Sequence, residues 1–153
     1  MRTTLLASTC LAAVLSTTAH AETSISTATT TPVRTSTVKS GAADDVKIAS
    51  AGSVKPTSGT AVTIDSNNKL TNDGTIQITN SDGATGIFAN GGVSGAITNS
   101  ATGKIIIDES YAPTDIDNDG DIDGAFAIGN NRVGIETLGA FNGNIVNSGA
   151  ITI

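Results

Sequence analysis

Cysteine, methionine and histidine occur once each in this 153-residue chain, as Cys10, Met1 and His20, and tryptophan does not occur. All three single residues lie in the first 21 positions, ahead of an expected cleavage point after Ala21. The chain beyond that point, Glu22 to Ile153, has neither thiol nor imidazole. This excludes a disulfide framework, a Cys/His zinc site and a nucleophile paired with a histidine base. Aromatic residues make up 3% of the sequence, which suits a narrow interior better than a bulky core. Basic residues are also few. Seven Lys and Arg against fourteen Asp and Glu give Glu22–Ile153 a side-chain charge of −7. Nucleic-acid binding needs clustered Lys and Arg with aromatics, so no nucleic-acid partner is expected. No stretch beyond the first 21 residues carries a sustained helical period with caps.

The one long apolar run is Leu5 to Leu15, preceded by Arg2 and followed by Ala19-His20-Ala21. A positive charge, a short apolar segment and a small-x-small end predict a secretory signal peptide over residues 1–21. The run is too short to anchor the chain across a bilayer. Cys10 is preceded by Ala7-Ser8-Thr9, a poor fit to a lipoprotein cleavage site, and lipidation there would cut the apolar run in half.

What the chain does have is a repeat. Leu70-Thr71-Asn72-Asp73-Gly74-Thr75-Ile76-Gln77-Ile78 is echoed by Ile97-Thr98-Asn99 through Gly103 to Ile107. It is echoed again by Ile145-Val146-Asn147-Ser148-Gly149-Ala150-Ile151-Thr152-Ile153. Each unit is an apolar residue, an Asn turn, a Gly and an alternating Ile-x-Ile. Gly86-Ile87 and Gly134-Ile135 stand 48 residues apart, as do Gly95 and Gly143. Short period-two strands between Asn/Gly corners describe a stack of coils. Asn and Gly tolerate the left-handed backbone of sharp corners.

An antiparallel sandwich would not need such repeats to stay in register. In a right-handed parallel β-helix each strand pairs with its equivalent one coil later, about 4.8 Å away. The predicted fold is therefore all-β, a right-handed parallel β-helix. Leu70, Ile97 and Ile145 should form one internal row, Ile76, Ile105 and Ile151 a second, with Asn72, Asn99 and Asn147 stacked at the corner. β-Helical repeats are expected over residues 46–153. Residues 22–45 are Ser/Thr-rich with few large apolar side chains, and read equally as a flexible linker or as an irregular coil capping the stack.

Asn72 to Asn99 spans 27 residues, but Asn99 to Asn147 spans 48. The surplus of 21 places an acidic insertion at about residues 108–130, extruded from the stack as a loop. It holds Asp115-Ile116-Asp117-Asn118-Asp119-Gly120-Asp121-Ile122-Asp123, the densest charge in the chain. The spacing matches the first nine positions of an EF-hand-type calcium loop. Ca²⁺ needs six to eight oxygens, and alternating carboxylates around a Gly turn supply them. Asp115, Asp117 and Asp119 are the candidate side-chain ligands, Asp121 a candidate through its backbone carbonyl, and Asp123 directly or through water. The twelfth position, where a bidentate Glu belongs, is Phe126, so weak Ca²⁺ binding is expected. Asp108 or Glu109 would replace the missing ligand if the loop folds back. The bland alternative is a solvated acidic loop.

Asn90-Gly91-Gly92-Val93-Ser94-Gly95 lacks the Lys and following helix of a phosphate loop and reads as a turn. It also lacks the Asp and the period of a calcium-binding nonapeptide. Asp119-Gly120 with Arg132 could be assembled into a calcium-dependent polysaccharide lyase site, though a few coils leave little room for its groove. Nothing fixes a separation between carboxylates for glycoside hydrolysis.

The signal peptide, the Ser/Thr-rich start, the Asn-Ser-Gly-x-Ile-x-Ile coils and the Asp-rich loop before Asn131-Arg132-Val133-Gly134-Ile135 resemble the N-terminal passenger region of a Gram-negative autotransporter (type V secretion). The resemblance implies a β-helical stalk, non-enzymatic and adhesive, exported and then displayed at the cell surface or released, meeting an extracellular or host-surface ligand. Such passengers end in a membrane β-barrel of amphipathic strands. The sequence here has no such barrel, so it is expected to be a fragment or a truncated form, and outer-membrane attachment would need a barrel absent from it. A truncated form would stay periplasmic. The alternative function is a polysaccharide-acting, calcium-dependent lyase-like enzyme on the same scaffold.

Overall fold

The computed structural model describes residues 22–153. The expected signal peptide lies outside the described residues. The chain winds through β1 (Thr23–Ile25), β2 (Ala28–Thr29) and β3 (Val33–Arg34), then β4 (Val46–Ile48), β5 (Ser53–Val54) and β6 (Thr60–Ile64). It continues through β7 (Leu70–Asn72), β8 (Thr75–Thr79) and β9 (Thr85–Ala89), then β10 (Ile97–Asn99), β11 (Lys104–Asp108) and β12 (Val133–Thr137). The last strands are β13 (Ile145–Asn147) and β14 (Ala150–Thr152). No helix occurs among the described residues.

Every strand pairs in parallel with the strand three places along the chain. One sheet runs β1-β4-β7-β10-β13, a second β2-β5-β8-β11-β14 and a third β3-β6-β9-β12. Three strands make one rung, and stacked rungs make a parallel β-helix. The expected rows pair in register, but only their inner members are internal: Ile145 and Ile151, on the outermost strands, are exposed. Ile97 pairs with Leu70 on one side and Ile145 on the other. Ile105 stands between Ile76 and Ile151, and Ile135 pairs with Ile87.

The core follows from the period-two pattern. In β7, β8 and β10 buried residues alternate with half-buried ones, and the interior is filled by side chains such as Ile48, Leu70, Ile76, Ile97 and Ile105. Burying each of these aliphatic side chains contributes about 1.5–3 kcal/mol. The corner between the first and second sheets is narrow. A Cβ at Gly74 would run into the carbonyl oxygens of Ala49 and Gly52, and one at Gly149 into those of Ser100 and Gly103. The repeated Gly after each Asn is therefore set by the approach of neighbouring rungs.

The stacked asparagines lie deeper than a corner position suggests. Asn72 and Asn99 are fully buried. The Asn72 side-chain amide donates to Asn99 Oδ1 at 2.8 Å, and that of Asn99 to Asn147 Oδ1 at 2.8 Å. The same amides also donate to the carbonyls of Lys104 and Ala150. The ladder begins abruptly, because the residue paired with Asn72 on the preceding rung is Ile48. Asn72 Oδ1 is consequently buried without a hydrogen-bond partner.

Residues 22–45 are not a free linker: they make the terminal rung, which covers one end of the stack. They contribute β1, β2 and β3 in register with the next rung, Thr23 opposite Val46, Ala28 opposite Ser53 and Val33 opposite Val62. Polar contacts help to fix this rung. Asp65 accepts the Ser36 amide at 2.9 Å and pairs with Arg34 at 3.0 Å. Asp44 accepts the Thr23 hydroxyl at 2.9 Å and faces Lys39 at 3.4 Å. Thr is β-branched and suits a strand, so a segment poor in large apolar residues still extends the sheets.

Candidate metal centre on the inserted loop

The insertion leaves the stack at the end of β11 and returns at β12, where the surplus residues predicted it. Its neck is a half-buried ion pair. Glu109 and Arg132 are 3.0 Å apart, with side chains 8% and 9% exposed. Glu109 also accepts the amides of Ile128 and Gly129, each at 2.9 Å, and Arg132 donates to the Ser81 carbonyl at 3.3 Å. Asp82 accepts the Asn130 amide at 2.9 Å, fastening the returning arm to the corner below. Burial by itself would push the Glu109 carboxyl up. The Ile128 amide, the Arg132 guanidinium and the Gly129 amide outweigh burial and hold it below the usual range for Glu.

Above the neck the two arms run antiparallel. The Tyr111 hydroxyl donates to the Ala125 carbonyl at 3.1 Å, and the Asp123 amide to the Thr114 carbonyl at 3.1 Å. Thr114 and Asp123 thus close an eight-residue tip between them. Within the tip Asn118 and Gly120 adopt left-handed angles, φ 62° and 101°. These turns aim their amides at the two oxygens of Asp115, at 2.6 and 3.1 Å. Asp123 Oδ2 accepts the amides of Ile116 and Asp117 at 2.7 and 3.3 Å. The acidic tip is therefore folded around its own backbone amides, unlike a merely solvated run of charge.

Of the five sequence-predicted residues, Asp115, Asp117 and Asp123 come together, each offering a carboxylate oxygen within 4.8 Å of the others. Oxygens this close could share one metal ion. The Asp119 side chain stands outside the group, with its Oδ1 taken by the Asp121 amide at 3.1 Å. The Asp121 side chain is also outside. Three carboxylates make only part of a shell, so other oxygens or water would have to fill the remaining positions.

The replacement ligands expected from the sequence are placed elsewhere. Glu109 is committed to the neck, and Asp108 Oδ1 accepts the Glu109 amide at 2.8 Å. Phe126, at the twelfth position, is exposed. Arg132 faces Glu109, Asp82 and Ser81. Sequence reasoning missed the Glu109–Arg132 clasp. The sequence offers only two opposite charges at the ends of the insertion, which do not by themselves identify a pair. No family model matches the chain, and neither the curated proteins nor the solved structures give a significant match.

Proposed function

We propose that this protein is an exported, non-enzymatic display module: a β-helical rod that carries an adhesive, calcium-responsive arm on its flank. The observation that carries the reading is the combination of unbroken rung stacking with one clasped insertion whose tip gathers Asp115, Asp117 and Asp123. A solenoid gains stability from each neighbouring rung, so a loop can be added between strands without disturbing the pairing on either side. The pairing of β10 with β13 across the insertion has this property. Ca²⁺ is the cation the tip suits, since its donors are all hard oxygens and its shell leaves places for water. Export rests on Arg2, Leu5–Leu15 and Ala19-His20-Ala21, and surface display on the resemblance to autotransporter passengers. The lyase-like alternative has less support, because Arg132 is held at the neck and Asp119 lies outside the triad.

The test is to express the full chain in a Gram-negative host, measure the mass of the exported product and label intact cells with an antibody to the insertion. A product beginning at Glu22, held in the periplasm if these residues act alone and reaching the surface or medium if a barrel is supplied downstream, is the expected result. Retention of Met1, or a product beginning at a lipidated Cys10, would overturn it.

A further inference from the structure

We infer that the inserted arm is a protein-docking element whose partner presents an apolar pocket rimmed by Lys and Arg. The inference deepens the display reading, on which it rests, by naming the chemistry of what is met.

Among the described residues, exposed large apolar side chains occur in two places. One is the stretch from Leu138 to Ile153, which includes the outermost strands β13 and β14. The other is the insertion, where Ile116 is 75% exposed, Phe126 76% and Ile128 69%. The flank from residue 22 to 110 exposes none. Holding the arm in place does not explain these side chains. Ile128 serves the neck through its backbone amide, and Phe126 stands where a calcium loop would place a ligand. Phe126 and Ile128, exposed and two positions apart on the returning arm, have the composition of interface anchors, and Ile116 adds a third exposed apolar side chain at the tip.

The arm is also preorganised. The Glu109 clasp, the Tyr111–Ala125 hydrogen bond and the Thr114–Asp123 bridge hold its two sides together, which lowers the ordering cost of association. The charge selects the partner. Five carboxylates lie between Asp115 and Asp123, and one bound divalent cation would still leave three negative charges. That field repels an anionic lipid surface and favours a basic protein rim.

The experiment probes the full chain, with millimolar Ca²⁺, against an array of peptides having a Leu/Phe core and Lys/Arg flanks. Controls are the same cores with Asp/Glu flanks and the same flanks with Ser cores. The variant pairs Phe126→Ser with Ile128→Ser, and its Ca²⁺ affinity and circular dichroism are checked for identity with the native chain. Binding is expected to the basic-flanked apolar peptides alone, weakened about tenfold or more in the variant. Equal binding to the acid-flanked set, undiminished binding by the variant, or no binding to any peptide would overturn the inference. So would variant-sensitive binding to phosphatidylserine vesicles instead of peptides. Failure of export or surface labelling tests the display reading separately, because the peptide array does not depend on location.

Discussion

Asn99 and Ile97 sit two residues apart on β10 and test different parts of the same stack. Ile97 is fully buried between Leu70 and Ile145. Ile97→Asp would place an unpaired charge among aliphatic side chains, costing several kcal/mol, and the β signal in circular dichroism should be lost or its melting strongly lowered. Asn99 donates to one neighbour and accepts from the other. Asn99→Ala would leave a buried Asn72 amide and the Ala150 carbonyl short of a partner, at about 1–3 kcal/mol, so the protein should still fold and melt earlier. Unchanged melting in both variants would mean that the register is wrong. The rows of Ile and Asn were legible in the sequence because parallel stacking puts equivalent positions of successive rungs in contact, and similar residues recur there. The orphaned Asn72 Oδ1 was not, since it arises where the ladder meets Ile48 and no repeat marks that rung.

At the scale of the element, the first rung and the neck are fastened by carboxylates, and this makes them acid-sensitive. Burial would raise the carboxyls of Asp65, Asp44 and Glu109, but their hydrogen bonds and cationic neighbours hold each below its ordinary value. Asp73 is lowered by its Ser100 and Lys47 contacts. A carboxylate depressed on folding stabilises the fold fully above its unfolded pKa, about 3.9 for Asp and 4.3 for Glu. That stability is lost as the pH falls through the folded value. Thermal melting should therefore be flat from pH 8 to about pH 5 and decline below about pH 4. Glu109→Gln should flatten part of that decline and speed proteolysis within residues 110–127 at neutral pH. A pH-independent melt from pH 7 to pH 3 would contradict the assigned contacts. The first rung was not legible as regular structure because its strands are short and Thr-rich, with polar contacts supplying much of what apolar burial supplies elsewhere. The neck was missed for a related reason: Glu109 and Arg132 are 23 positions apart, and only the closed hairpin brings them to 3.0 Å.

For the whole molecule, the rod and the arm are separable in physical cause. Rung stacking rests on backbone pairing and buried Ile, Leu and Val, while the arm rests on a clasp, two hydrogen-bonded arms and a tip of repelling carboxylates. The position of the insertion and three of its proposed ligands could be read from spacing alone. The exclusion of Asp119 and the fates of Asp108 and Glu109 could not, because they depend on which backbone amides each carboxylate meets. Calorimetric titration of the full chain with Ca²⁺, paired with circular dichroism in chelator, tests this division most directly. Binding with a dissociation constant of about 10⁻⁴–10⁻³ M is expected, abolished by Asp115→Asn with Asp117→Asn, with the β signal intact when the metal is removed. No heat at millimolar Ca²⁺, or collapse of the β signal in chelator, would contradict the account.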